Sequence, residues 1–147
     1  MPFPFRSPNA TVGGLVVFGR IIDKIRFFAE QGRLPDGYHL GPMSGNRTFD
    51  ERLCLFLGVS FESLRTRTLQ GGSDQEILEW CFTNGRRPDA EQIEVWNTFM
   101  RKRGWRDSGS VGLARQKLEA GLAGRDDIQV FFELMDVEEG RPMPTLD

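Results

Sequence analysis

Between about Thr11 and Gln31 the apolar positions recur with a helical period. Leu15, Phe18, Ile21, Ile22, Ile25, Phe28 and Ala29 share one broad face of the wheel, and Val16 and Phe27 form a narrower patch on the other side. A helix that is apolar on two sides is covered on two sides. This segment is therefore predicted to be the central helix of the fold, closed by Gly32 as the C′ residue. Gly13, Gly14 and Gly19 are the positions where its start is delayed or its axis bent.

Further along, short apolar periods alternate with capping residues and glycine stops. Thr48 caps a helix over Phe49 to Leu57, stopped by Gly58, and Ser60 caps the next, Phe61 to about Leu69, stopped by Gly71-Gly72. Ser73 with Glu76 spells a capping box before Ile77, Leu78, Cys81 and Phe82, and Asp89 with Gln92 repeats it before Ile93, Trp96, Phe99 and Met100. Val111, Ala114, Leu118 and Leu122 mark a sixth helix from about Ser110 to Gly124. Asp126 with Gln129 caps a seventh that carries Ile128, Phe131, Phe132 and Met135. No segment alternates with period 2, and no Asn-Gly turn joins two β-branched runs.

The pattern predicts an all-α protein: a single compact domain of about seven helices around the central N-terminal one. Two ends fall outside it. Proline alternating with phenylalanine at the start predicts an extended arm over residues 1–10, pinned by Phe3 and Phe5. Glu138-Glu139-Gly140 and two prolines predict a loose C-terminal tail over 137–147. Gly32 to Gly45, rich in glycine and proline, reads as an ordered loop.

Composition adds little that is specific. Apolar residues make up 39 %, with twelve Phe and three Trp, and 27 % are charged with a net charge of −2, a balance that argues against disorder. The same balance gives no electrostatic reason to expect nucleic acid or an anionic membrane as partner. The longest apolar run, Leu53 to Leu57, is far short of the ~20 residues that span a bilayer. Cys54 and Cys81 lie inside helical apolar patterns, where they read as reduced thiols of a cytoplasmic protein.

Candidate chemistry is sparse. His39, the only histidine, sits beside Tyr38 in the Gly/Pro loop, and one histidine with two distant cysteines falls short of a zinc ligand set. Carboxylates cluster at helix starts, as dipole partners do, and no Glu-x-x-His is present, so no metal is expected. No phosphate loop and no nucleophile elbow occurs, and no cofactor is implied. Arg20, Asp23 and Lys24 lie on the central helix, where a buried charge needs a partner; they read either as a structural ion pair or as an anion pocket. Arg101-Lys102-Arg103-Gly104-Trp105-Arg106 is basic with an interleaved aromatic, the weak signature of a nucleic-acid contact at the end of a helix that also favours cations.

Several stretches together resemble a bacterial family known as domain of unknown function 5069. They are Arg6-Ser7-Pro8, Val12-Gly13-Gly14-Leu15, Arg20 to Arg26, Phe56-Leu57-Gly58-Val59, Asp74 to Trp80, Val95-Trp96-Asn97 and Gly104-Trp105-Arg106-Asp107. The resemblance implies a small, mainly helical bacterial protein and transfers no catalytic residue. It directs attention to Arg20, Asp23, Lys24, Trp80, Asn97, Trp105 and Asp107, with Asn97 beside Trp96 and Trp105 as the lining of a pocket between helices. Two functions compete, with nucleic-acid binding through Arg101–Arg106 as a weaker third reading. One is a non-catalytic module binding a protein partner, a second copy as a homodimer, or a small ligand. The other is an enzyme acting on a small anionic substrate through Arg20, Asp23 and Lys24 with Tyr38 or His39, which requires those groups to converge on one cleft.

Overall fold

The computed structural model describes residues 2–143. Its first regular element is a hairpin, not a helix. Strand β1 (Thr11–Val12) pairs antiparallel with β2 (Leu15–Val16), Thr11 opposite Val16 and Val12 opposite Leu15. Gly13 (φ +57°) and Gly14 (φ +82°) make the two-residue turn, which needs positive φ at both central positions. The long helix expected from Thr11 therefore begins later: α1 spans Phe18–Gln31. Val16 belongs to the hairpin rather than to a second helical patch. Gly-Gly between Val12 and Leu15 was the available signal, masked by apolar residues that also fit a helical period.

The remaining helices are α2 (Phe49–Leu57), α3 (Phe61–Leu69), α4 (Asp74–Asn84), α5 (Ala90–Lys102), α6 (Ser110–Glu119) and α7 (Phe131–Glu138). The protein is mostly helical, as the periodicity predicted. The four starts expected from capping chemistry hold: Thr48, Ser60, Ser73 and Asp89 each accept a hydrogen bond from the third residue of their helix, and α4 and α5 carry full capping boxes.

The last helix starts five residues after the expected cap. Lys117 donates from Nζ to the carbonyls of Arg125 (2.7 Å) and Ile128 (3.0 Å), while Arg125 is held by Asp127. With those carbonyls and side chains committed, residues 125–128 close as a turn. Glu133 reaches back to the backbone N–H of Gln129 and Val130, so α7 opens at Phe131. The tail is not loose over the residues described. Glu139 and Arg141 are tied into the body by the contacts given below, and positions 144–147 lie outside the described residues.

α1 is central. Ile21, Ile22 and Ile25 are buried, together with the charged Arg20 and Lys24. Its apolar face is shorter than expected, because Phe28 and Ala29 in the last turn are exposed and the Arg65 guanidinium lies 5.7 Å over the Phe28 ring. Around α1 gather Leu53 and Leu57 of α2, Leu64 of α3, Ile77, Leu78 and Cys81 of α4, and Trp96 and Met100 of α5. A smaller cluster of Leu113, Ile128 and Leu134 joins α6 to α7, and Phe132 ties α7 to the main core.

Ahead of the hairpin, Phe5 is buried among Phe3, Phe27 and Tyr38, with ring centroids 5.2, 5.5 and 5.7 Å away. Arg6 then lies across the first turn of α1, donating to both carboxylate oxygens of Asp23, to Asp74 and to the Gly19 carbonyl. Gly19 is glycine for that reason: a Cβ there would stand 2.8 Å from Arg6 Cζ. Alanine in a helix interior normally gains about 1 kcal/mol over glycine. Gly19→Ala is expected to lose about 1 kcal/mol instead, because the side chain must displace a guanidinium held by four bonds. In an Arg6→Ala background the same change is expected to stabilise. Urea unfolding of the four proteins of this cycle reads the difference, and additive effects would exclude the contact as the cause.

Candidate functional site

Arg20, Asp23 and Lys24 do not pair with one another. Each leaves α1 for a different element. Arg20 makes a bidentate pair with Glu139, just past α7 (2.8 and 2.6 Å), and donates to the Arg6 carbonyl. Lys24 meets both oxygens of Asp50 in the first turn of α2 (2.7 and 2.8 Å). Asp23 takes Arg6 of the arm. The three charges thus tie α1 to three other elements, with partners far away in the chain.

Asp50 also accepts from the Gly41 N–H (2.8 Å), and Thr48, besides capping α2, donates to the Gly41 carbonyl. Lys24 Nζ donates to the His39 carbonyl at 3.3 Å. These bonds order the Gly/Pro loop and bring Tyr38 and His39 to the charged side of α1. Tyr38 then donates from its hydroxyl to Glu139 (2.8 Å).

Glu139 is the hub. Its side chain is 1 % exposed and accepts from Arg20, Tyr38 and Arg141. Arg141 in turn bonds Asp136 and the Phe5 carbonyl. Burial by itself raises a carboxyl pKa; here the bond and charge of Arg20, then the bonds from Tyr38 and Arg141, outweigh it and hold Glu139 below the ordinary glutamate value. The Tyr38 phenol moves the other way, raised by burial and by its bond to Glu139, so it stays protonated. His39 keeps a solvent-exposed edge, yet the surrounding protein and then Lys24 disfavour its imidazolium, and its pKa lies below the usual histidine value.

Arg20, Lys24, Tyr38 and His39 all line one cleft of about 590 Å³. Its other wall comes from α6 and α7, through Gly112, Gln116 and Met135 among others. Arg47, Arg52 and Arg103 also line it. Asp23 does not line it, so the set required for the anionic-substrate enzyme does not converge in full. Val17, buried at the cleft wall, has φ +79°, an outlier for a β-branched residue.

The other sequence candidates lie elsewhere. Asn97 clamps the hairpin, accepting from the Val16 N–H (3.1 Å) and donating to the Gly14 carbonyl (2.8 Å), while Trp96 donates to the Val16 carbonyl. Trp96 stacks on Phe56, so it fills the core rather than lining a pocket with Asn97. Trp80 packs against the main core. Asp107 organises the turn before α6, accepting from the N–H groups of Gly104 and Gly109. Trp105 and Arg106 border a separate cavity of about 410 Å³ with Leu113, Lys117 and Ile128. The basic run at the end of α5 is split: Arg101 and Lys102 face solvent, whereas Arg103 turns into the cleft and bonds Ser108.

Sequence reasoning missed Asp50, Glu139, Arg6 and Arg52. Asp50 carried no motif that set it apart at the start of α2, and Glu139 fell in the stretch expected to be a loose tail. Cys54 and Cys81 are unpaired and buried, and burial pushes both thiols up to about 12. Among the described residues no group of three or more His, Cys, Asp or Glu gathers as a metal ligand set, and no helix is long and apolar enough to cross a membrane.

These features define a class: a mostly helical protein whose central helix is strapped by buried ion pairs beside a charged cleft. The chain belongs to the family described as Domain of unknown function (DUF5069), whose model matches residues 3–141. No curated protein matches it.

The Glu139 hub has a measurable pH signature. Its carboxyl titrates lower in the folded than in the unfolded chain, so its stabilisation is complete above the unfolded value near 4.3 and fades as pH falls through the lower folded value. Glu139→Ala is expected to cost about 3–5 kcal/mol at pH 7, because it strands Arg20. Glu139→Gln is expected to flatten the loss of stability below about pH 4.5. Urea unfolding from pH 7 to pH 3 tests both; an acid dependence identical to that of the parent would remove Glu139 from this role.

Proposed function

We propose that this protein is a non-catalytic module that binds a small ligand in the cleft between α1, the Tyr38–His39 loop and the α6–α7 wall. The observation that carries this reading is the convergence there of side chains from elements distant in sequence, around a volume typical of small-molecule sites. The bonds of Arg20, Lys24 and Tyr38 to Glu139 and Asp50 support a preorganised floor, which lowers the entropic cost of binding. Strained backbone at Val17 favours a functional wall over a merely structural one.

Binding is favoured over catalysis by the state of those same groups. Lys24 and Arg20 are already neutralised by carboxylates, and Tyr38 donates its proton inward and titrates higher than an ordinary phenol. The imidazolium of His39 is disfavoured by burial and then by Lys24, so no cationic acid is held ready there. Two buried, unpaired cysteines favour a reducing compartment such as the cytoplasm.

A thermal-shift screen across metabolites and nucleotides tests the reading. A ligand present at a hundred times its Kd adds about 2.7 kcal/mol, which raises the midpoint by several degrees for a domain of this size. Gln116→Trp, on the exposed face of α6 that lines the cleft, is expected to abolish the shift while leaving the unliganded midpoint within about 1 °C. A hit that shifts the plugged variant as much as the parent would place the site elsewhere.

A further inference from the structure

The cleft has two ends with opposite electrostatic character. At one end every buried cation has its acid: Arg20 has Glu139 at 2.6 Å and Lys24 has Asp50 at 2.7 Å. At the other end three guanidinium groups gather, and their pairing with carboxylates is longer or, for Arg52, missing among the described residues. Arg52 comes from α2 and Arg103 from the end of α5, and both lie over the single ring of Phe99, 5.5 and 5.7 Å from its centroid. Arg47 approaches from the loop before α2.

Their partners are unequal. Arg103 has Ser108 at 3.2 Å and Asp107 at 3.4 Å, and Arg47 reaches only Glu51, at 3.7 Å. Arg52 forms no salt bridge among the described residues, and its Nε is buried with no hydrogen-bond partner. Burial first, then the charges of Arg103 and Arg47, disfavour its protonated form, and the more weakly acting Glu51 and Asp107 offset this only in part. A guanidinium does not give up its proton under such pressure. The repulsion and the unmet donor therefore persist as a standing cost, which an anion between the arginines would remove. Phe99 holds the two planar groups in place beforehand, through contacts of the cation–π kind.

We propose that the Arg52–Arg103 end of the cleft binds the oxyanion group, phosphate or carboxylate, of a small molecule; this rests on the reading of the cleft as a ligand site. Guanidinium forks match both groups through paired N–H donors, and charge-assisted bonds of this kind are about twice as strong as neutral ones. The ligand is small because Glu119, Glu138 and Asp36 also line the cleft and repel an extended polyanion. The anion end is thus not the Arg20–Lys24 end that the sequence suggested, since those cations are already satisfied.

Arginine side-chain NMR on the full chain decides the matter, with sodium phosphate, sodium succinate and sodium chloride titrated at equal ionic strength. The Nε–H signals of Arg52 and Arg103 are expected to shift saturably with phosphate or succinate and not with chloride, and the tighter of the two identifies the group. Arg52→Gln and Arg103→Gln, with helicity checked by circular dichroism, are expected to weaken binding about tenfold or more. Arg125→Gln, exposed and paired only with Asp127, is expected to leave it unchanged. Equal shifts in chloride, or an unchanged Kd in both cleft variants, would overturn the proposal. Should Arg52→Gln fail to fold, the signals of the parent protein still decide between these outcomes. A screening hit lost in Gln116→Trp but indifferent to Arg52→Gln would sink the oxyanion site and leave the cleft reading standing.

Discussion

Glu139 holds a carboxylate almost wholly out of water, and that is tolerable only because Arg20, Tyr38 and Arg141 all donate to it. The contact joins four parts of the chain that share no regular structure: the central helix, the Gly/Pro loop, the segment after α7, and, through Arg141 and Arg20, the backbone of the N-terminal arm at Phe5 and Arg6. Lys24–Asp50 repeats the device toward α2, and Asp23–Arg6 toward the arm and α4. An apolar contact between these parts would tolerate sliding. A buried charge does not, because leaving its partner strands it in a low-dielectric interior.

That constraint also shapes the cleft. Its floor consists of ion pairs fixed for structural reasons, so the floor is rigid and electrically spent. The polar groups left with unmet capacity lie at the opposite end, where Arg52 and Arg103 flank Phe99. Electrostatic neutrality at one end and its absence at the other is a sharper guide to binding than the count of charges. The same cleft counted as a whole is nearly balanced.

Much of the fold was legible from residue types acting locally. Thr48, Ser60, Ser73 and Asp89 each satisfy an orphan N–H within one turn, so side-chain chemistry and helix start are coupled at short range, and four helix starts follow directly. The failures share a cause. The Gly13-Gly14 hairpin is held by Asn97 from α5, the start of α7 is delayed by Lys117 from α6, and the ordering of 137–141 depends on Arg20 from α1. In each case the deciding partner belongs to a different helix.

The candidate site divides along the same line. The sequence by itself determined that α1 would be central and that charges on it would need partners, because burying an unpaired charge is prohibitive wherever the helix packs. It also marked Tyr38 and His39 as lying in an ordered loop. Only the tertiary structure decided which acids answer Arg20, Asp23 and Lys24, and hence that Asp23 turns away from the cleft while Arg52 remains uncompensated within it. A carboxylate at position 50 or 139 looks the same in sequence whether it faces water or a guanidinium. Its role is set by distances across the fold, and those depend on how the apolar faces of the helices pack together.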